Sequence, residues 1–327
     1  MILNGISIRA LLCATLVMFG QTVHAATYPD KPIRLIVGFA PGGPNDIVAR
    51  IVGQKMSESF NVPVIVDNRP GANSMIGMQL GAKAPPDGYT ITMISASAAT
   101  NPSVYTDVPF DLMKDFSPVT VVASSAFIVV VNPSLPTKSI KDLIAVAKQK
   151  PGQLNFASSG AGGTLHLAAE LFNSLAHVTM NHVPYKGGAP ALNDVIAGNV
   201  ELMFSPITIA MPQVTSGRLR ALAVTSAKRL EAMPDMPTIA EAGLPGYEAT
   251  GWYGVVAPAG TTRPVVATLN QEIVKTLGRP EVRQQFVKMD LEPVGNLPEQ
   301  MRKYLQEELV KWAKVVRDAK LTRGKVS

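Results

Sequence analysis

The sequence predicts an α/β fold of two doubly wound lobes joined by crossing strands, and three observations lead to this prediction. Three strand–helix repeats fit within residues 33–95. The alternation stops at residues 119–131, where two apolar runs follow one another with no helix between them. It starts again after residue 139 and continues to the C-terminal helix. Alternating strands and helices build a mainly parallel sheet covered by helices, and the interruption marks a passage between two such units.

The first lobe opens with an apolar run at residues 33–39, which is typical of a strand buried on both faces of a parallel sheet. A turn follows at residues 41–45. We expect Asn45 to cap a helix whose apolar residues recur at helical spacing as far as Met56. The next elements expected are a strand at 62–66, a helix at 75–82 and a strand at 90–95.

The second lobe starts at Ser139 and Asp142, which resemble an S-x-x-D capping box in front of a predicted helix at residues 140–149. The later elements are strands at 154–157, 178–183, 200–204 and 219–225, and helices at 164–175, 189–197 and 207–216. Beyond a proline-rich stretch we expect a strand at 252–257 and helices at 265–277, 280–289 and 298–318.

The C-terminal third resumes the first lobe, so the chain must cross between the lobes twice. We place these crossings near residues 121–127 and 222–250. Lobe 1 then comprises residues 26–123 and 250–327, and lobe 2 comprises residues 124–249. Strands that connect two α/β lobes form a hinge, and the cleft between such lobes is a common place for a ligand.

Residues 1–25 have the pattern of a cleaved secretory signal peptide. Arg9 is their only charge, an apolar run covers residues 10–19, and a small-residue site ends at Ala25. The run is shorter than the roughly 20 residues that span a bilayer. Cys13 is the single cysteine and lies too early in the run to be a lipid-anchor site. We therefore expect an exported, soluble protein without disulfides or thiol chemistry.

Composition and charge argue against several classes of partner. The chain has 30 Lys and Arg against 24 Asp and Glu, a net charge of +6. These basic residues are scattered and do not alternate with aromatic ones, so nucleic acid is not an expected partner. The mild positive field modestly favours anionic solutes. His177 and His182 have no partner at metal-ligand spacing, and we expect neither a metal nor a cofactor.

The first candidate site is the turn between the first strand and the first helix, with Phe39, Pro41, Gly42, Gly43 and Asp46. Ligands of open α/β sheets bind beyond the carboxyl ends of strands, and a helix N-terminus offers N–H groups to an anion. An ordinary turn would have the same glycines, and the helix dipole alone would favour Asp46 in the first turn. The glycine spacing fits neither a dinucleotide fingerprint nor a phosphate P-loop.

The second candidate site has the same strand–turn–helix position in lobe 2. Ser158, Ser159, Gly160 and Thr164 supply hydroxyls and flexible backbone at a helix start. His166 lies in the first turn of that helix, where it also fits a packed or capping role. One such loop is weak evidence. Two loops at corresponding positions predict a site that holds a small anion from both sides.

Other strand ends can add walls to this site. Tyr185 and Lys186 lie in a third strand–helix turn, where Tyr185 offers a hydroxyl and Lys186 fits either a carboxylate partner or a solvated lysine. Ser95, Ser97 and Pro206 also follow the ends of predicted strands.

Catalysis fits the sequence poorly, since neither a G-x-S-x-G elbow nor an H-E-x-x-H motif occurs. Ser158 and Ser159 with His166 suggest a secreted hydrolase as one alternative, but no orienting acid lies near them in the sequence. A sensor-input or interaction module, which docks on a partner protein, is a second alternative. A monomer is expected.

A series of short motifs spans the mature chain: Tyr28-Pro29-Asp30-Lys31-Pro32-Ile33, Pro41-Gly42-Gly43 with Asp46 and Ala49-Arg50, Asn68-Arg69-Pro70-Gly71-Ala72, Pro86-Asp87-Gly88-Tyr89-Thr90, Ser158-Ser159-Gly160, Val183-Pro184-Tyr185-Lys186-Gly187, residues 217–223 and Pro237-Thr238-Ile239. In order and spacing these motifs resemble the Bug-type (TctC-like) substrate-binding proteins of tripartite tricarboxylate transporters. The resemblance covers essentially the whole mature chain without a major departure.

The resemblance implies a two-lobed, periplasmic-binding-protein-like fold of type II. It implies capture of a small organic carboxylate (a di- or tricarboxylate, an amino acid or an aromatic acid) for an inner-membrane transporter, or signalling through a sensor. In such proteins backbone groups, hydroxyls and water hold the carboxylate, with little reliance on Arg or Lys. Asp46 would then favour ligands with an amino or hydroxyl group near the carboxylate. The site residues implied are Phe39, Pro41, Gly42, Gly43, Asp46, Ser158, Ser159, Gly160, Thr164, His166, Tyr185 and Lys186.

Overall fold

The structure is a computed structural model that describes residues 28–185, 187–321 and 324. The predicted signal peptide with Cys13 lies outside these residues, and so does Lys186. Among the described helices, none combines the length and the apolar character needed to cross a lipid bilayer.

The first part of the chain alternates strands and helices as predicted. The elements are β1 (Ile33–Val37), α1 (Pro44–Phe60), β2 (Val64–Asn68), α2 (Met75–Ala82), β3 (Thr90–Ser95) and α3 (Ser97–Val104), with a 3₁₀ turn at Ala72–Ser74. β1 lies between β2 and β3 and is parallel to both. All its apolar side chains are buried, which explains its continuous apolar sequence.

A long strand, β4 (Phe116–Val131), leads into the second series of elements. These are α4 (Ile140–Gln149), β5 (Asn155–Ser158), α5 (Thr164–Ala176), β6 (Asn181–Pro184), α6 (Gly188–Ala197), β7 (Leu202–Pro206), α7 (Ile207–Thr215) and β8 (Arg220–Val224). The chain ends with β9 (Thr250–Pro258), α8 (Arg263–Leu277), α9 (Pro280–Val287), β10 (Glu292–Pro293) and α10 (Pro298–Asp318).

One continuous sheet runs through both halves in the order β2-β1-β3-β9-β4-β7-β5-β6, with β8 and β10 also paired to β4. β4 belongs to both halves. Its residues 116–126 pair with β9, and its residues 127–131 pair with β7 and β8. β9 starts beside Ala126 and then pairs with β3, so it is the second crossing strand. Two antiparallel strands therefore connect the two α/β units.

Helices cover the sheet with apolar faces on both sides of the crossing. In the first half, Val48, Val52 and Met56 of α1 pack in one buried cluster with Leu269 and Ile273 of α8. The second half has its own buried residues, among them Phe156, Leu167, Phe172 and Phe204. Each half thus buries a substantial core, as expected of a chain of this length.

The start of α1 differs from the prediction. Gly43 is the N-cap, with extended backbone angles (φ −79°, ψ 167°), and Pro44 occupies the first helical position. Proline is favourable there because an N–H at that position has no partner within the helix. Asn45 is consequently inside the helix, and the prediction that it caps α1 is wrong. The cap predicted at Ser139 is confirmed, since its Oγ accepts a hydrogen bond from the Asp142 N–H at 3.1 Å.

Two other elements differ from the expectation. The two apolar runs at residues 119–131 belong to a single strand of 16 residues, β4. Its pairing with β9 shifts register twice, between Pro118 and Thr120 and between Val121 and Ala123. The short helix α3 was not predicted, because its eight residues have no apolar periodicity.

Glu308 of α10 fixes the C-terminal helix to the crossing strand β9. Its buried carboxylate accepts hydrogen bonds from the indole Nε1 of Trp252 in β9 and of Trp312 in α10, each at 2.9 Å. Lys311 forms an ion pair with the same carboxylate. Three donors therefore compensate this buried charge, and two of them are buried indoles.

Replacing Glu308 by leucine is expected to lower the free energy of unfolding by about 2–4 kcal/mol, because two buried indole N–H groups lose their acceptor. Urea denaturation measures this change. Glu308→Gln keeps an oxygen acceptor and should lose less. Glu307→Leu, at an exposed position one residue earlier, is the matched control. An equal loss in Glu307→Leu would contradict this account of the indole bonds.

Candidate functional site

The carboxyl ends of the strands in the two halves meet at the middle of β4. Ser95 ends β3 and pairs with Tyr253 of β9, which in turn pairs with Ala123 of β4. Pro206 ends β7 and pairs with Phe127 of β4. Ala123 and Phe127 are four residues apart, about 13 Å along a strand. The turns that follow β1 and β3 therefore start opposite those that follow β5 and β7.

The loop between β1 and α1 is held by its own helix. Gly42 has a positive φ of +82°, where a side chain would be strained, and its N–H donates to Asp46 Oδ2 at 2.9 Å. Pro41 and Gly42 are exposed, whereas Asp46 is buried. The Phe39 ring packs against the core of this half, and its carbonyl accepts from Asn68 Nδ2 at 3.0 Å.

The Asp46 carboxylate is fully engaged by protein donors. Besides Gly42, it accepts from Arg50 Nε at 2.8 Å and from Asn68 Nδ2 at 2.9 Å. Burial alone would raise the pKa of Asp46, but these hydrogen bonds outweigh burial and hold the pKa below its usual value. Asp46 is therefore ionised at neutral pH, and its charge fixes the loop. Asn68 and Arg50 were not predicted as site residues.

The loop between β5 and α5 repeats this geometry in the second half. Gly162 has a φ of +72°, and Gly163 is the N-cap with φ −74° and ψ 165°, close to the angles at Gly42 and Gly43. The Gly162 N–H donates to His166 Nδ1 at 2.9 Å. His166 occupies the third helical position, as Asp46 does in α1. It is buried, so it supports the loop from below.

The two helix starts differ in the number of backbone donors they offer. The N–H groups of a first helical turn have no acceptor within the helix. Pro44 has no N–H, so α1 contributes those of Asn45 and Asp46. In α5, Thr164, Leu165 and His166 contribute three. Both loops can thus bind an anion through helix amides, and the loop before α5 has one donor more.

Ser158 is a structural hydroxyl beneath the second loop. It is completely buried, and its Oγ lies 2.6 Å from His182 Nε2. The same Oγ donates to the Gly160 carbonyl at 3.0 Å and accepts from the Gly160 N–H at 3.1 Å. A buried hydroxyl with these partners is not available as a nucleophile, so Ser158 does not support the hydrolase alternative.

The rings of His166 and His182 stack beneath the loop, with centroids 3.6 Å apart and planes 11° apart. Phe156 of β5 packs on His182 with a centroid distance of 5.1 Å. Burial, together with the neighbouring His166, lowers the pKa of His182 from 6.5 to about 4. His182 is therefore neutral at physiological pH. The sequence analysis considered it only as a metal ligand and missed this contact.

Tyr185 is tied into the second half. Its hydroxyl donates to Asp194 Oδ2 of α6 at 2.6 Å, and its N–H donates to the Ser158 carbonyl at 3.0 Å. Burial and the Asp194 carboxylate raise the pKa of Tyr185 to about 12. Because its hydroxyl is engaged by Asp194, Tyr185 can contribute its ring to a site next to Ser158. Pro206, half-buried, is the N-cap of α7.

A chain of serine hydroxyls lies at the carboxyl end of β3. Ser97 Oγ lies 3.0 Å from Ser95 Oγ and 3.2 Å from Ser74 Oγ. Ser74 belongs to a turn in which Ala72, Asn73 and Ser74 all have positive φ, a strained backbone for residues other than glycine. Buried Asn101 stabilises this turn through two hydrogen bonds to Asn73. The prediction named Ser95 and Ser97 but missed Ser74.

The loop before α5 also contacts the first half. A Cβ at Gly162 would lie 3.1 Å from Val104 Cγ1, at the C-terminal end of α3. A cavity of about 1000 Å³ opens elsewhere, between α7, residues 228–233 and residues 283–293. None of the predicted site residues lines it, although Pro206 directly precedes its first lining residue, Ile207. The cavity is therefore separate from the two loops.

Comparison with known proteins identifies relatives along most of the chain. The model of the tripartite tricarboxylate transporter family receptor, TctC, matches residues 48–321. R. palustris Rpa4515 with adipate is 36% identical, with a TM-score of 0.72 over 90% of this chain and 99% of that one. The periplasmic binding protein BugD is 33% identical, with a TM-score of 0.69 over 91% and 100%. MatC (Rpa3494) from Rhodopseudomonas palustris with bound malate is 29% identical, with a TM-score of 0.68 over 88% and 100%.

These matches are receptors and binding proteins, not enzymes. They confirm the resemblance, the two-lobed α/β fold class and the prediction that the chain has a binding function. The relatives are periplasmic binding proteins.

Native stability should fall as the pH drops from about 6.5 to about 4, the pKa values of His182 in the unfolded and folded chain. In this window the unfolded chain binds a proton that the folded chain excludes, which costs at most about 1.4 kcal/mol per pH unit. Urea unfolding across this range measures the slope. His182→Gln should flatten it, whereas His177→Gln, at an exposed histidine, should leave it unchanged. Identical slopes in wild type and His182→Gln would refute this account.

Proposed function

This chain belongs to the tripartite tricarboxylate transporter receptor (TctC, Bug-type) family, and we propose that it captures a small dicarboxylate between its two glycine loops for delivery to a membrane transporter. The observation that carries the proposal is the repeated helix start. Gly42–Gly43 and Gly162–Gly163 have nearly the same backbone angles, and each precedes a helix at opposing strand ends.

Two anion-binding loops favour a ligand with two carboxylates. Each helix start provides backbone N–H groups and the positive end of a helix dipole. A carboxylate at each end of a short chain would meet one loop in each lobe. Adipate in R. palustris Rpa4515 and malate in MatC are ligands of this kind in relatives.

The donors expected to hold the carboxylates are neutral. In the first loop the nearby cation, Arg50, is already paired with Asp46 at 2.8 Å. In the second loop His166 accepts a hydrogen bond on Nδ1, which requires its ring to be unprotonated there. Amides and hydroxyls are thus left to bind the ligand, and closure of the lobes would strengthen these charge-assisted bonds by excluding water.

The proposal separates residues that touch the ligand from residues that support the loops. We place Phe39, Pro41, Gly42, Gly43, Ser159, Gly160 and Thr164 at the ligand, with Ser95, Ser97, Tyr185, Lys186 and Pro206 as walls. Asp46, Ser158 and His166 support the loops, because the Asp46 carboxylate, the Ser158 hydroxyl and the His166 Nδ1 are engaged by neighbouring protein groups. A ligand amino or hydroxyl group would therefore compete with Arg50 and Asn68 for Asp46.

The remaining parts of the proposal concern the cell. Residues 1–25 would direct export and be removed, and the mature protein would act as a monomer in the periplasm. The lobes would comprise residues 26–123 with 250–327, and residues 124–249. The membrane partner would be an inner-membrane transporter. A sensor protein is the alternative partner, since a transporter and a sensor would both bind the closed form that holds the ligand.

Isothermal titration calorimetry with adipate and malate tests the ligand class, with adipamide as the uncharged analogue. We expect the dicarboxylates to bind and the diamide not to bind. A ligand at a hundredfold its Kd should stabilise the fold by about 2.7 kcal/mol, which a thermal melt detects. Absence of binding by di- and tricarboxylates, amino acids and aromatic acids alike would overturn the proposal.

Two hydroxyl variants test the second loop. Ser159 Oγ would lie 4.0 Å from a Cβ at Gly163, beside the helix start, and Thr164 is half-buried at the first helical position. Ser159→Ala and Thr164→Val should each weaken dicarboxylate binding roughly tenfold, the worth of a hydrogen bond to a charged group. Thr268→Val is the control, because that hydroxyl donates within α8 to the Pro264 carbonyl. Equal affinities in all three variants would remove the second loop from the site.

A further inference from the structure

We propose that His166 and His182 act as a neutral, stacked pair of positioning residues that holds the loop at residues 158–164 in the shape that binds a carboxylate. The proposal rests on the function proposed above for this loop. It adds that the two rings, which lie below the loop, set its affinity without touching the ligand.

Each ring holds one end of the loop. His182 Nε2 lies 2.6 Å from Ser158 Oγ, and that oxygen accepts from the Gly160 N–H at 3.1 Å. His166 Nδ1 accepts from the Gly162 N–H at 2.9 Å. The two glycines have φ of +145° and +72°, so the backbone here has few steric restraints of its own. The missing restraint comes from the bond of Gly162 to His166 and from the bond of Gly160 to the Ser158 hydroxyl, which His182 contacts.

The bond to Gly162 requires a particular state of His166. Because Nδ1 accepts, the neutral ring carries its proton on Nε2, which lies 3.4 Å from Glu170 Oε1. A protonated ring would present a second N–H to the Gly162 N–H, and the bond would be lost. The loop therefore keeps its shape only while His166 is neutral.

The stacked arrangement disfavours protonation of both rings at once. Two positive rings with centroids 3.6 Å apart would repel each other strongly. Among the described residues, the titratable groups whose charges act on His182 are His166 and Glu170 of α5. β5 contributes Phe156, which does not titrate, and β7 (Leu202–Pro206) contains no ionisable residue. α10 meets α5 at Ser174, through Lys314 and Asp318, about 12 Å along the helix from His166.

The first loop shows why a neutral acceptor matters. Asp46 occupies the position of His166, but its negative charge is compensated by Arg50. Among the described ion pairs, His166 has no arginine or lysine partner. An uncompensated carboxylate at this position would oppose an anion above the loop. A neutral imidazole accepts the same hydrogen bond without placing a negative charge near the anion.

Amide exchange in the ligand-free protein tests the positioning role directly. With ¹⁵N-glycine labelling, NMR follows Gly160 and Gly162. His166→Leu should raise the exchange of Gly162, and His182→Leu that of Gly160, each about tenfold, as expected when a bond of this kind is lost. His166→Asn keeps an acceptor near the Nδ1 position and His182→Gln keeps a polar group near Nε2, so both should restore protection. His177→Asn, at the C-cap of the same helix in the left-handed conformation, is the control.

The proposal would be overturned if Gly160 and Gly162 exchanged in the two leucine variants at the wild-type rate. It would also be overturned if they exchanged in His166→Asn and His182→Gln as fast as in the leucine variants.

Titration with adipate separates this proposal from the proposed function. The leucine variants should bind adipate at least tenfold more weakly than wild type, and the asparagine and glutamine variants should recover most of the affinity. Unchanged affinity in the leucine variants would overturn the link to binding. If wild type binds no carboxylate while the exchange pattern holds, the proposed function fails and the positioning role stands.

Discussion

One hydrogen bond fixes each of the two loops, and the proposed site depends on it. In both halves a glycine with positive φ donates its N–H to the side chain four residues later, at the third position of the following helix. This bond closes the turn and satisfies a donor that would otherwise need water. The amides of the first helical turn have no acceptor within the helix, and the N-cap side chains of α1 and α5 supply none. A rigid turn thus presents donors that need an external acceptor.

The crossing strands place these turns opposite each other. Their close packing also restricts which residues fit in β9. β9 approaches its neighbours closely at two glycines. A Cβ at Gly251 would lie 2.6 Å from Ser125 Oγ, and one at Gly254 would lie 2.8 Å from Met301 Cε. The C-terminal helix is fixed to the same strand by Glu308 and Trp252. These close contacts restrict which residues β9 can have where it crosses between the two halves.

The sequence alone located both loops, because an apolar strand, a glycine pair and a helix follow one another locally. It could not find the residues that hold them. Asn68 reaches Asp46 only because β2 pairs with β1, which aligns Asn68 with Val37. His182 reaches Ser158 because β6 pairs with β5, which aligns it with Phe156. Such neighbours depend on strand register. The prediction that Asn45 caps α1 was wrong because Pro44 occupies the first helical position, which makes Gly43 the cap.

The two loops have similar backbones but different charges, so the two ends of the proposed site are not equivalent for a carboxylate. The loop before α1 has a proline at the first helical position and a buried carboxylate beneath it, whose charge Arg50 compensates. The loop before α5 has one more helix amide and a neutral histidine in place of the carboxylate. The additional free amide at the start of α5 offers an anion one more hydrogen bond. The first carboxylate of a ligand should therefore settle on the loop before α5, and the loop before α1 should then select what the other end can be.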